Sequence, residues 1–454
     1  MASGSLKRTS TTDRDISPPP TKRKVTATTT NKAVSNFFKP ASEKEKQPEK
    51  VKFQILHDTL LVGRYEDGSS ARTTKPKPVK VAAFDFDDTL IKTKSGNVFA
   101  RGADDWQWWH ATIPGKLKQL DADGYAVVLV SNQSGISLRS EKGSDKKSLS
   151  NFKEKVSAVF KALEIPITVY AATEKDLFRK PRTGMWEQML QDYGLVDGDD
   201  AAADVDREKS VFVGDAAGRE GGKAAKIRKD HSCSDRDFAA NVGIPFQTPE
   251  EYWLGEDAKP FTRAFEPAAF LQTTLDSQTD ADPIVFSKKN DLEIVLFCGS
   301  PGSGKSTFFW THLAPMGYMR VNQDQLKTRD KCIKAATIAI DEDKKSVVVD
   351  NTNADMETRA AWVQLAAKLK VPIRLVHFTA SAKLCEHNDT VRALSDGKMN
   401  PEKRQLLPKM AFTGFASRFR EPSVEEGFQD ITHVDFVFRG TEEDKKLWSK
   451  YWMS

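Results

Sequence analysis

Residues Phe297 to Thr307 read F-C-G-S-P-G-S-G-K-S-T, and no other stretch constrains the chain so strongly. Gly299 and Gly304 are separated by four residues, and Lys305 and Ser306 follow at once, which completes the G-x-x-x-x-G-K-[ST] phosphate-binding spacing. Glycines at 299, 302 and 304 let the backbone curl until several N–H groups face one centre. A helix starting near Lys305 adds the positive end of its dipole. In this spacing Lys305 reaches the β- and γ-phosphates, and the Ser306 hydroxyl, with Thr307 behind it, sits on Mg²⁺. The flanks agree, because Glu293 to Phe297 reads as an apolar strand and Phe308 to Leu313 continues a helix. The expectation is a nucleoside triphosphate site.

At 454 residues the chain has room for two or three domains. A hydrophobic fraction of 39% supports real cores, yet no run approaches the roughly 20 apolar residues of a membrane span. The N-terminus is polar from Ser3 onward and reads as no secretory signal. Cys233, Cys298, Cys332 and Cys385 are scattered without ligand spacing, which fits a reducing compartment. The net charge of +5 is unevenly placed. Residues 1–50 hold eleven Lys/Arg against five Asp/Glu, a balance of +6, so the remainder is near −1. A broadly basic nucleic-acid cover is excluded, and such binding must use local grooves.

Residues 1–50 are rich in Ser, Thr, Pro and Lys and are expected to be a disordered basic tail. Within them, Pro18 to Val25 is a compact basic cluster among prolines, resembling a nuclear localisation signal. Val34, Phe37 and Phe38 form an apolar patch in the same tail, costly to expose unless a partner covers it. That segment resembles the motif that docks on the replication sliding clamp, except that Asn31 stands where the motif has Gln.

A second set of motifs precedes the phosphate-binding loop. Val79 to Phe84 reads as a buried strand running into Asp85-Phe86-Asp87-Asp88-Thr89, at the position where open α/β sheets place their sites. Two carboxylates two residues apart repel unless a cation sits between them, and Mg²⁺ answers that need. Three more buried strands follow, and each delivers a polar group at or beyond its carboxyl end. They give Ser131 after Ala126 to Val130, Lys180 after Ile167 to Ala171, and Asp215 after Val211 to Val213. Asp235 is a weaker second acidic candidate.

This ordered set resembles the four motifs of the haloacid-dehalogenase-like phosphatases, over roughly Val79 to Phe246. The resemblance implies Asp85 as a nucleophile that becomes an aspartyl-phosphate. It implies Asp87 as general acid and then base, and Ser131 with Lys180 as holders of the phosphoryl oxygens. Asp85, Asp215 and the Asp87 carbonyl would hold Mg²⁺.

Beyond the phosphate-binding loop, Tyr318 to Val321 leads to Asn322-Gln323-Asp324. Asp324 either caps a following helix or takes a proton from a hydroxyl acceptor, and the spacing leaves both open. Ser346 to Val349 ends in Asp350, placed to orient Mg²⁺ or its waters. A helical region from Cys385 to Gln405 carries Arg392, which can act as a lid arginine over phosphates or as a surface residue.

Together the two modules resemble the eukaryotic polynucleotide kinase 3′-phosphatases, from about Val79 to the C-terminus. The stretches that carry this are Phe84–Thr89, Val213–Arg219, Ser234–Pro249, Phe297–Thr307, Val321–Asp324, Val349–Asn353 and Glu386–Arg392. The implied fold class is α/β, with two doubly wound parallel-sheet domains, haloacid-dehalogenase-like and P-loop kinase, behind the tail. The implied division is a tail at 1–50, a phosphatase at 51–259, a linker at 260–283 and a kinase at 284–454. The resemblance further implies Asp324 as base on a DNA 5′-hydroxyl, Arg392 in the lid, ATP and Mg²⁺ as cofactors, DNA ends as partners, a nuclear location and a monomer. The animal members carry an N-terminal phosphopeptide-binding domain that a tail of this length cannot hold. A metabolic small-molecule kinase/phosphatase and an RNA-end repair enzyme are the rival expectations.

Overall fold

Runs of β-branched and aliphatic residues build two separate sheets, because strands apolar on both faces must be covered by helices on both sides. The computed structural model describes residues 50–65, 76–138, 145–196, 204–222, 229–277, 286–395, 397 and 399–453. Residues 1–49 of the expected tail, with its basic cluster and Val34, Phe37 and Phe38, lie outside the described residues. The strands of the first half are β1 (Val51–Leu56), β2 (Leu60–Tyr65), β3 (Val81–Phe84), β4 (Ile91–Lys92), β5 (Gln107–Trp108), β6 (Ala126–Asn132), β7 (Ile167–Ala172), β8 (Val211–Val213) and β9 (Phe246–Gln247). Those of the second half are β10 (Ile294–Cys298), β11 (Met319–Val321), β12 (Val347–Val349), β13 (Ile373–Phe378) and β14 (Ile431–Val434).

The first sheet has the order β1-β2-β7-β6-β3-β8-β9, while β4 and β5 form a separate two-stranded ribbon. From β7 to β9 all neighbours are parallel, with β3 at the centre between β6 and β8. At the other edge β1 and β2 form an antiparallel hairpin that joins β7. Two apolar clusters cover the sheet's faces. One holds Phe84, Phe86 and Val156, the other Val128, Trp186 and Phe238.

The second sheet has the order β11-β12-β10-β13-β14 and is parallel throughout. Its two faces pack separate clusters, one around Leu296, Val349 and Trp362 and the other around Phe297, Phe308 and Val376. The phosphate-binding loop follows the central strand β10, where strand order reverses and α/β sheets receive ligands.

The stretch 260–283, expected to be a linker, contains the helix Pro267–Ser277, and its Leu271 is buried against Leu384, Val391, Trp448 and Trp452. The C-terminal residues return to the first sheet's side. Arg182 Nη1 donates to Trp452 O at 2.7 Å, and Asn241 exchanges two hydrogen bonds with the Tyr451 backbone at 2.7 and 2.9 Å. No helix among the described residues is long and apolar enough to cross a membrane.

Candidate active sites

The first site forms at the carboxyl ends of β3, β6 and β8. Asp85 follows β3 with its backbone N–H bonded to Val213 O at 2.8 Å, so the nucleophile candidate is fixed to the neighbouring strand. Ser131 lies at the end of β6 and is buried. Lys180 is held by the adjacent Asn132 carboxamide, which accepts from its N–H at 2.9 Å and donates to its carbonyl at 3.1 Å. Its buried ammonium then has three acceptors: Asp85 Oδ1 at 2.7 Å, Asp235 Oδ1 at 2.8 Å and Val130 O at 2.7 Å. All three of its N–H groups are therefore used.

Asp235, the weaker candidate in the sequence, stands at the centre. It opens the helix Ser234–Val242, is 1% exposed, and accepts the Ala216 N–H at 3.0 Å through Oδ2. Gly214 leaves room for it, since a Cβ there would lie 2.2 Å from Asp235 Oδ2. Asp85, Asp215 and Asp235 each offer a carboxylate oxygen within 4.8 Å of the others. Burial, reinforced by Asp235 and Asp87 and opposed by Lys180, pushes the Asp85 carboxyl up to about 7. Burial, reinforced by Asp235, Asp85 and Asp88, raises Asp215 well above its ordinary range. Three clustered carboxylates with one lysine between two of them leave excess negative charge, which a divalent cation fits.

Asp87 differs from Asp85. Its side chain is half exposed, accepting from Gln133 Nε2 at 2.7 Å and Lys155 Nζ at 2.9 Å. Gln133 also donates to Ser131 Oγ at 3.1 Å, joining the two expected site residues. Neither Lys155 nor Gln133 was assigned a role from sequence. The signal for Lys155 was present, because it falls on the buried stripe of the helix Lys147–Leu163 between Phe152 and Val159.

The second site forms at the end of β10. Gly302 and Gly304 have φ of +78° and +92°, and a Cβ on Gly302 would lie 2.3 Å from Cys385 O. Lys305 opens the helix Lys305–Phe308 and rests its buried ammonium on Gly299 O at 2.9 Å, Ser300 O at 2.6 Å and Ser303 Oγ at 3.3 Å. Ser306 Oγ donates to Asp350 Oδ2 at 2.9 Å, which joins the loop to the end of β12. Thr307 is exposed. A cleft of about 2820 Å³ is lined by Lys305, Ser306, Asp324, Asp350, Arg392 and Arg404, among others.

Asp324 does not cap its helix. Asn322 performs that task, accepting the Asp324 N–H at 2.8 Å, and the Asp324 carboxylate is left 81% exposed, 3.9 Å from Arg404. Arg392 lies on the helix Ala382–Leu394, pairs with Asp389 through one nitrogen, and keeps a buried Nε with no hydrogen-bond partner among the described residues. Two arginines not singled out from sequence reach the loop. Arg320 donates to Ser306 Oγ at 2.9 Å and Asp350 Oδ2 at 2.8 Å, and Arg404 donates to Ser306 Oγ at 3.2 Å. Both also bond Glu402. Burial opposes its charge, but donors from Trp310, Arg320 and Arg404 bring its carboxyl down to about 2.

Comparison with known proteins follows the same division. The family described as polynucleotide kinase 3 phosphatase matches residues 80–253, and an AAA domain matches residues 294–422. The bifunctional polynucleotide phosphatase/kinase of Schizosaccharomyces pombe is 40% identical over 398 residues, 87% of each chain. The polynucleotide 3′-phosphatase of Arabidopsis thaliana is 34% identical over 193 residues, covering 40% of this chain and 25% of that protein. The polynucleotide 3′-phosphatase of Saccharomyces cerevisiae is 28% identical over 227 residues, covering 39% of this chain and 88% of that protein.

Proposed function

The chain belongs to the bifunctional polynucleotide phosphatase/kinases, and we propose that its two sites divide the reactions as their residues allow. It removes 3′-phosphates and phosphorylates 5′-hydroxyls of polynucleotide ends. The observation that carries the division is that each sheet ends in its own cluster of polar side chains. The Asp85–Lys180–Asp235 cluster lies at β3, and the Lys305–Ser306–Asp350 set lies at β10.

In the first site the Asp85 carboxylate attacks the phosphorus while Asp87 gives its proton to the departing 3′-oxygen, leaving an aspartyl-phosphate. Asp87 then takes a proton from the water that attacks this intermediate, and inorganic phosphate departs. Lys180 exchanges one of its three acceptors for a phosphoryl oxygen and, with Ser131, holds the phosphoryl group as charge shifts. Asp85, Asp215 and the Asp87 carbonyl are suited to Mg²⁺, which would neutralise the phosphoryl charge. Asp235 aims Lys180 and, through Ala216, the loop bearing Asp215.

In the second site Asp324 takes the proton from the 5′-hydroxyl as that oxygen attacks the γ-phosphorus of ATP, whose bond to the β-phosphate oxygen breaks so that ADP departs. Lys305 turns from its loop carbonyls to the phosphates, and the spare Arg392 Nε closes over them from the lid. Ser306 and Asp350 would hold Mg²⁺ or its waters. The substrate is DNA and the location nuclear, a reading supported by the basic cluster Pro18 to Val25. Recruitment through Val34, Phe37 and Phe38 to the sliding clamp belongs to the same proposal. One purified sample, given 3′-phosphate and 5′-hydroxyl ends in DNA and in RNA, tests the substrate. Preference for RNA ends would overturn the DNA assignment. Loss of clamp pull-down in Phe37→Ala with Phe38→Ala supports the tail's role, and unchanged binding refutes it.

A further inference from the structure

Strands β13 and β14 pair in parallel with His377 opposite His433, so the two imidazoles leave the sheet on one face. Their ring centroids are 5.4 Å apart. After the helix Lys409–Arg418 the chain turns back across this face. Phe419 stacks on His377 at 5.6 Å, and Glu421 Oε1 comes to 3.2 Å from His377 Nδ1. One ligand atom from each of His377, His433 and Glu421 lies within 4.8 Å of the others.

A second observation concerns His377 itself. It is only 6% exposed, and its Nδ1 makes no aligned hydrogen bond within the described residues. Buried polar atoms are rarely left so. A bound metal ion would give such a nitrogen its partner, since imidazole nitrogens are common metal ligands.

We propose that His377, His433 and Glu421 bind one divalent transition-metal ion of the zinc class, with the remaining position taken by water. Two imidazoles and one carboxylate suit Zn²⁺, Co²⁺ or Ni²⁺, whereas the hard oxygen sets of the two reaction sites suit Mg²⁺. The ion staples the segment following the helix Lys409–Arg418 to the sheet edge. That segment is tied next to the kinase site, because Arg420 N donates to Ala354 O at 2.9 Å and Arg359 Nη1 donates to Arg420 O at 3.0 Å, and Ala354 follows the turn after Asp350. Ala411 and Arg418 of the helix line the cleft.

The test uses full-length protein stripped with chelator and titrated with Co²⁺ in excess Mg²⁺, which occupies the oxygen sites. One Co²⁺ per chain with visible ligand-field absorption is expected, displaced by one equivalent of Zn²⁺, and Zn²⁺ raises Tm. His433→Ala and Glu421→Gln alter exposed side chains and should leave the core folded. Each weakens Zn²⁺ binding about tenfold or more and removes the gain in Tm. Parental affinity in His433→Ala, or no stoichiometric binding by the parent, overturns the proposal.

Discussion

Asp235→Asn keeps the shape of the buried side chain and removes only its charge. In the native site Oδ1 accepts from Lys180 at 2.8 Å and Oδ2 accepts from Ala216 N at 3.0 Å. An asparagine offers one oxygen for two donors, and its amide group must face the other donor in a place 1% exposed. Breaking a buried pair in this way costs about 3–5 kcal/mol of stability. The same change leaves Lys180 with Asp85 as its one anionic partner among the described residues, so the ammonium is drawn onto the proposed nucleophile and away from the phosphoryl oxygens. If about 3–4 kcal/mol of that misplacement appears in the barrier, phosphatase activity falls roughly 10²–10³-fold. Kinase activity should stay within about twofold, because among the described residues the Asp235 side chain is held by Lys180 and Ala216 in the first site. Urea melts monitored by circular dichroism give the stability, and phosphate release from a 3′-phosphorylated oligonucleotide gives the rate. A folded variant whose phosphatase is within about threefold of the parent would refute the role given to Asp235.

Lys305→Ala should abolish 5′-phosphorylation and spare 3′-phosphate release, since the charge lost serves only the nucleotide phosphates; kinase activity near the parental rate would show the loop is misassigned. Without metal, the raised carboxyls of Asp85 and Asp215 hold protons in the folded state that the unfolded chain releases. Stability therefore falls as pH rises from about 4 towards 7. Mg²⁺ should accordingly raise Tm more at pH 8 than at pH 5, and an equal shift at both would contradict the charge accounting. Trp452→Ala should destabilise the protein by about 3 kcal/mol or more, because it removes a buried ring from the cluster with Leu271 and Trp448. An unchanged urea midpoint would show that the C-terminal contacts are incidental.

The parts legible in sequence were those where a short apolar run ends abruptly in a polar group. β3, β6, β8 and β10 have this form, and the glycine spacing after β10 admits few conformations. The hairpin of β1 and β2 was harder, because β1 lies at an edge with mixed exposure and carries no such ending. The helix Pro267–Ser277 was hidden by flanking prolines that read as a linker, although Ala268, Ala269, Phe270 and Leu271 are good helix and core residues. Spacing named Asp324 but could not separate cap from base; the neighbouring Asn322, with its own capping oxygen, settles the first question. Asp235 was underrated because it comes from a helix, not from a strand end. Arg320, Arg404 and Glu402 were missed because their partners lie up to 98 residues away, a distance no local pattern reports.

The central claim is that two independent sites share one chain, and paired mutants on one substrate test it most directly. An oligonucleotide with a 5′-hydroxyl at one end and a 3′-phosphate at the other is offered to Asp85→Asn and to Asp324→Asn. Asp85→Asn should lose on the order of 10⁴-fold in 3′-phosphate removal, the loss of a covalent nucleophile, with 5′-phosphorylation nearly intact. Asp324→Asn should lose about 10²–10⁴-fold in 5′-phosphorylation, the range for a general base, with 3′-phosphate removal nearly intact. If either single change removes both activities from a protein still folded by circular dichroism, the two-site account is contradicted.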